Sequence, residues 1–412
     1  MCRKVSEEDN KSELTVKYMR VFKRLMASVM MLILVLSMFT NVYAKEPDIK
    51  SRAAVLIDAQ TGQILYEKNK DEKLYPASIT KVMTLYLAAE SENQELAKAS
   101  EEAIKAVPRD TSNIAIDYGE EFSLEQLMFA AQLMSANDAC NVIAEHVSGS
   151  VEDFVALMNK TAKQFGTRNT NFANANGLVD KNHYTTAYDF ALITKNAIKN
   201  EDFLKVFSTL KYSIPYTNKK KEERNMVAQH RMMHWPQYSY LGVIGGKAGF
   251  TTESQHTLVT YGEKNGVEVI AVVLKCPEFN TIYKDTEALL NFAYNDFERV
   301  TIQASDVEPK TVKYTTYTPK GEVTFWKQKS ESGDYTYDYN EQGVDIVSPS
   351  GAVMGSLEVE VKTITPWWKV VLYIILTVIG LLVAWLLFMY IVLVIRYNNK
   401  KRRKRTLKRK YK

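Results

Sequence analysis

The chain has 412 residues, 46% hydrophobic and 25% charged, a globular composition with room for two domains. Its net charge of +5 is unevenly spread: Arg396–Lys412 carries 11 Lys or Arg and no acid, residues 1–44 add +3, and residues 45–395 are left with about −9. An acidic body excludes a nucleic-acid-binding face, which has to be basic, and the five histidines and three cysteines show no metal-site spacing.

At the N-terminus, Arg20, Lys23 and Arg24 precede the apolar run Leu25–Phe39, and Val42-Tyr43-Ala44 has the small residues of a cleavage site. Residues 1–44 therefore read as an export signal. Two strands follow, Ala53–Ile57 and Ile64–Tyr66, around the turn Asp58–Gly62. Pro76-Ala77-Ser78 opens a helix to about Ala89, and Ser123 with Gln126 forms a capping box ahead of a second helix. Further helices are expected after Asp138, Ser150 and Thr186. Strand patterns return at Val243–Ile244, Thr257–Tyr261 and Val267–Leu274, the last two joined by a turn with Asn265-Gly266. A helix from about Thr286 to Phe297 closes the region. Strands, then helices, then strands and a helix predict an α+β domain over 45–300 whose two ends share one sheet.

From 301 to 365, short alternating stretches rich in Thr, Val and Tyr with Gly turns read as a small all-β spacer domain. The segment 366–395 is expected to be a transmembrane anchor: Val370–Ile395 lacks any charge, and Trp367 and Trp368 stand at its outer end. The basic tail 396–412 belongs in the cytoplasm by the positive-inside rule, which leaves the body outside the membrane. Cys140 and Cys276, both among apolar neighbours, read as free core thiols.

Ser78-Ile79-Thr80-Lys81 places a hydroxyl and an amine three residues apart, on one helix face. A serine is a poor nucleophile until a neighbour takes its proton, and a desolvated lysine of lowered pKa can do so. The same spacing at Ser208–Lys211 is taken as chance. Two more elements raise the significance of the first: Ser135-Ala136-Asn137 on a loop between helices, and Lys247-Ala248-Gly249 leading into a hairpin. Their order matches the S-x-x-K, S-x-N and K-T-G set of penicillin-binding proteins and class A β-lactamases.

With these motifs the chain resembles the low-molecular-mass penicillin-binding proteins that are D-alanyl-D-alanine carboxypeptidases, serine peptidase family S11. Ala54–Gly62, Tyr75–Thr84, Asn176-Gly177-Leu178 and His183–Asp189 also resemble that family, over roughly residues 50–300. The resemblance implies a penicillin-binding/β-lactamase-like catalytic domain, a sheet with a helical subdomain. It implies Ser78 as the acylated nucleophile, Lys81 as general base and Ser135 as proton relay. Asn137 would hold the substrate amide, and Lys247 would supply charge to Ser135 and to the substrate carboxylate. The oxyanion hole would use backbone N–H groups of Ser78 and of Phe250, which follows Gly249. The expected substrate is the D-Ala-D-Ala end of a peptidoglycan stem peptide, with β-lactams as mimics and no cofactor.

One residue departs from the pattern. The family's middle K-T-G residue gives a hydroxyl to the terminal carboxylate, and here it is Ala248. Arg231 lies where family members often carry an arginine that meets the same carboxylate. Ala248 motivates a rival reading, a catalytically weakened membrane-tethered receptor for peptidoglycan or penicillin. A β-lactamase is the other rival, although 149–181 offers no glutamate-bearing loop to activate water.

Overall fold

A computed structural model describes residues 46–93 and 95–410. The expected export signal, residues 1–44, lies outside them. The chain divides into two compact units. The first comprises the described part of Met1–Val300 together with Phe325–Ser332, and the second Thr301–Thr324 with the described part of Gly333–Lys412.

The first unit is built on a five-stranded sheet of β1 (Ala53–Asp58), β2 (Ile64–Lys68), β3 (Val243–Thr251), β4 (Gln255–Lys264) and β5 (Val267–Cys276). The order is β2-β1-β5-β4-β3, so strands from both ends of the domain do share one sheet. Neighbours are antiparallel, with Ala53 opposite Leu274 and Lys247 opposite Val259. Strand side chains alternate between faces. Ala53, Val55, Ile57, Ile270 and Val272 enter the core shared with the helices, while Ala54, Leu56, Val269 and Ala271 enter a second core. Both faces of β1 and β5 are covered, which is why their sequences read as unbroken apolar runs.

On the first face lie α1 (Lys81–Ala89), α2 (Leu124–Leu133), α3 (Asn137–Ser148), α4 (Val151–Gln164), α5 (Ala187–Ala197) and α6 (Glu201–Ser208). The Ser123–Gln126 capping box is present, and Gly149 ends α3 with φ +82°. The second face packs on α7 (Phe279–Asp296), which starts seven residues before the expected Thr286. Trp326 joins this core and donates its indole N–H to Asp58 at 2.7 Å.

The second unit holds a five-stranded sheet of β6 (Lys310–Val312), β7 (Thr315–Lys320), β8 (Thr336–Tyr339), β9 (Val344–Val347) and β10 (Val353–Thr363), ordered β6-β7-β10-β9-β8. It ends in α8 (Trp367–Lys410), whose span Trp367–Arg402 is long and apolar enough to cross a membrane. The apolar stretch of that span is not buried by protein, as a membrane anchor requires.

Candidate active site

Ser78 lies in a 3₁₀ turn, Ala77–Thr80, that runs into α1. A helix was expected to open here directly; a tighter turn precedes it, and the chain just ahead is crowded. Ala77 takes φ +51°, and a Cβ on Gly177 would come within 2.0 Å of the Ala77 carbonyl oxygen. Only glycine permits that approach. The loop Asn176–Leu178 is thereby pressed against the start of the nucleophile turn.

Lys81, one turn on, is fully buried. Its Nζ stands 3.0 Å from Ser78 Oγ and 2.7 Å from Asn137 Oδ1, and it also donates to the Asn176 carbonyl. These contacts fix the amine against the serine. Desolvation lowers its pKa to about 8, with Cys140 and Asp138 opposing in part. An amine so placed can be neutral near physiological pH and accept the serine proton.

Ser135 and Asn137 come from the connection between α2 and α3. Ser135 takes φ +55°, and its buried Oγ has no hydrogen-bond partner among the described residues. A left-handed non-glycine residue and an unsatisfied hydroxyl are both costly, and both are commonest where a site awaits a ligand. The Asn137 amide N–H donates to the Ser112 carbonyl at 2.8 Å, which anchors the first turn of α3.

Lys247-Ala248-Gly249 lies within β3 itself rather than ahead of a strand. Lys247 is 1% exposed, and its Nζ donates to the Ala248 carbonyl at 3.1 Å. Burial, together with the charge of Lys81, lowers its pKa to about 7. A bound carboxylate would restore its proton. Gly249 marks the closest approach of β3 to the nucleophile: an added Cβ would lie 2.7 Å from Ser78 N and 2.6 Å from Thr257 Oγ1. The Thr257 hydroxyl in turn donates to the Pro76 carbonyl at 2.8 Å and ties β4 to the chain before Ser78.

A cleft of about 620 Å³ opens over these groups, lined in part by Ser78, Ser135, Arg231, Ala248, Gly249 and Phe250. Arg231 therefore faces the cleft, its guanidinium 4.1 Å from the Trp235 ring centre and 4.2 Å from that of Phe279. Phe250 is 59% exposed, and its ring centre lies 4.6 Å from that of His256.

Other sequence features fall outside the cleft. Ser208 Oγ donates to the Leu204 carbonyl at the end of α6, a local contact that leaves its S-x-x-K spacing structural. His183 Nδ1 accepts from Ala173 N–H, so its Nε2–H faces Thr80 Oγ1 at 2.8 Å; burial holds its pKa down at about 4. It braces the nucleophile turn as a neutral ring. Cys140 and Cys276 are free and buried. Among the described residues no group of three His, Cys, Asp or Glu side chains could hold a metal.

Three contributors escaped the sequence reading. The Asn176 carbonyl binds Lys81 through backbone alone. Gln132 donates to the Phe207 carbonyl at 3.2 Å and the Gly246 carbonyl at 2.8 Å, joining α2 to the strand that carries Lys247. Trp235 and Phe279 enclose Arg231. Gln132, Trp235 and Phe279 have no local motif, and Asn176, though within the Asn176-Gly177-Leu178 stretch, acts through a backbone carbonyl that no residue type announces.

The sequence pattern of the peptidase S11 family, D-alanyl-D-alanine carboxypeptidase, matches residues 40–278. The chain is 32% identical over 286 residues to D-alanyl-D-alanine carboxypeptidase DacF of Bacillus subtilis, covering 67% of this chain and 72% of that protein. It is 32% identical over 261 residues to D-alanyl-D-alanine carboxypeptidase DacA of Haemophilus influenzae, covering 61% of this chain and 64% of that one. The fold is similar to penicillin binding protein 5 from Haemophilus influenzae, with a TM-score of 0.66 and 24% identity over 77% of this chain and 99% of that one.

Proposed function

The chain belongs to the peptidase S11 family of D-alanyl-D-alanine carboxypeptidases, and from that premise we propose how its own residues perform the reaction. It is a serine-type hydrolase that removes the terminal D-alanine from peptidoglycan stem peptides. Ser78 Oγ attacks the carbonyl carbon of the penultimate D-alanine while Lys81 takes its proton. The resulting oxyanion sits between the backbone N–H groups of Ser78 and Phe250. The C–N bond breaks, and the departing amine receives a proton relayed through Ser135. Water then hydrolyses the Ser78 ester. Asn137 holds the substrate amide, and Lys247 with Arg231 faces the terminal carboxylate. β-Lactams acylate the same serine.

The observation that carries this reading is the buried Lys81 amine 3.0 Å from Ser78 Oγ. Fluorescent penicillin tests it. Stable labelling of the native protein is expected, with none in Ser78→Ala. Rapid loss of label would instead indicate a β-lactamase, and no labelling a receptor.

We further assign α8 as a single membrane span, with the catalytic unit outside the cytoplasm and the basic tail within. The uncharged Val370–Ile395 run and the adjoining Lys/Arg cluster support this assignment. Protease added to intact protoplasts should remove the body and spare the tail; a cleaved tail would reverse the orientation.

A further inference from the structure

The two ends of the sheet in the second unit differ in charge and polarity. At one end Thr318 of β7 lies opposite Glu360 of β10 and Lys320 opposite Glu358, and Lys320 pairs with Glu360 at 2.8 Å. At the other end, residues 309–318 and 361–369 carry Lys310, Lys313, Lys362 and Lys369 and no acid. Among these lysines stand Val312, Tyr314 and Ile364, all exposed, Ile364 by 62%. The Ile364 amide donates to the Tyr314 carbonyl at 2.8 Å, so the β6–β7 turn and the end of β10 form one apolar tip. Val312 pairs with Thr315, which leaves Lys313 and Tyr314 as a two-residue turn, with Lys313 at φ +57°. Asparagine or glycine suits that conformation better, yet the turn carries two long side chains that reach beyond the sheet. An exposed apolar patch rimmed by charge marks an interaction surface. Chain connectivity points to the partner. Ile364 lies three residues before Trp367, at most about 11 Å even on an extended chain. Trp367 and Trp368 open the uncharged run of α8, at the level where amphipathic rings meet lipid headgroups. That headgroup layer is itself about 5–8 Å deep.

We propose that this tip is a second membrane contact: Val312, Tyr314 and Ile364 enter the lipid headgroup layer beside Trp367 and Trp368, and Lys313 and Lys362 meet lipid phosphates. The proposal rests on the reading of α8 as a membrane span and adds that the β sheet is seated on the lipid surface. One helix alone would leave the sheet free to swivel about Thr365-Pro366. A second contact fixes its tilt. The acids Glu358 and Glu360 lie toward the other end of the β7–β10 pair, where they avoid repulsion from the phosphates, and the lysines lie where attraction to anionic lipid is strongest.

The test reconstitutes the full-length protein in vesicles of phosphatidylcholine and phosphatidylglycerol. Cys2 is replaced by serine, and Cys140 and Cys276 are buried, so an introduced surface cysteine takes a fluorescent label. Thr311→Cys reports on the tip, Val353→Cys on the start of β10, about 33 Å along the strand from its end, and Ile379→Cys on the middle of α8. Quenchers are lipids carrying a nitroxide on the headgroup or on the acyl chain. A label at 311 should lose about half or more of its emission to the headgroup nitroxide, since it stands at that layer, and one at 353 should lose little. Adding Tyr314→Glu and Ile364→Glu should bring quenching at 311 down to the level at 353. Equal quenching at 311 and 353, with Ile379 quenched by the acyl-chain nitroxide, would overturn the contact alone. Quenching at 311 that survives both glutamates would reduce it to proximity along the tether and overturn it as well. An unquenched label at 379 would overturn the membrane span beneath it. The comparison of 311 with 353 decides the proposal even where the double variant does not fold.

Discussion

On the floor of the cleft, the Lys81 amine is fully buried and held by Ser78, Asn137 and Asn176. On its outer wall, Arg231 lies between the rings of Trp235 and Phe279, while Phe250 and Trp235 remain largely exposed. The floor is polar and fixed by hydrogen bonds from three chain segments. The wall is aromatic and open, and it carries the one residue, Ala248, that departs from the family motif. Bond-making groups need fixed geometry and a low dielectric. Groups that choose among ligands need area and shape. In the proposed mechanism the floor carries the bond-making groups and the wall meets the end of the substrate.

The largest effect should come from breaking the floor. Lys81→Ala removes the amine that stands against Ser78 Oγ, and loss of the general base lowers penicillin acylation by about 10²–10⁴-fold. Near-native acylation in this variant would show that another group takes the serine proton. A smaller effect is expected on the wall. Ala248→Thr adds a hydroxyl facing the carboxylate, and a hydrogen bond to a charged group is worth about 1.5–3 kcal/mol. D-Ala release should rise by roughly ten- to a hundredfold. Amidating the substrate's terminal carboxylate should harm the Thr variant more than the native protein. Equal rates with equal responses to amidation would mean that Arg231 already satisfies the carboxylate, and the wall would then differ from the family by adaptation rather than loss.

The two regions also differed in how well the sequence announced them. Ser78 and Lys81 were legible because their chemistry demands two residue types one helical turn apart. Ser135, Asn137 and Lys247 followed because each sits on a short motif beside a recognisable helix or strand. Strands β4 and β5 were equally plain, since two stretches rich in β-branched residues are joined by a turn with Asn265-Gly266. What stayed hidden depends on distant chain segments. The Asn176 carbonyl reaches Lys81 across 95 residues and uses no side chain. The close approach of Gly177 to the Ala77 carbonyl ahead of Ser78 joins segments a hundred residues apart. The stack on Arg231 needs Phe279 from the start of α7, and the return of Phe325–Ser332 to the first unit turns on Trp326 meeting Asp58. None of these contacts leaves a periodic or compositional trace.

In the proposed mechanism burial holds Lys81 ready to act as a base, and the pH dependence of Ser78 acylation reads that state. A lysine pulled down to about 8 is neutral above that pH and protonated below it. The acylation rate constant for benzylpenicillin should therefore fall about tenfold per unit below pH 8 and level off above it. A rate that climbs with a midpoint near the ordinary lysine value of about 10.4, or one that is flat from about pH 6 to 9, would contradict the account.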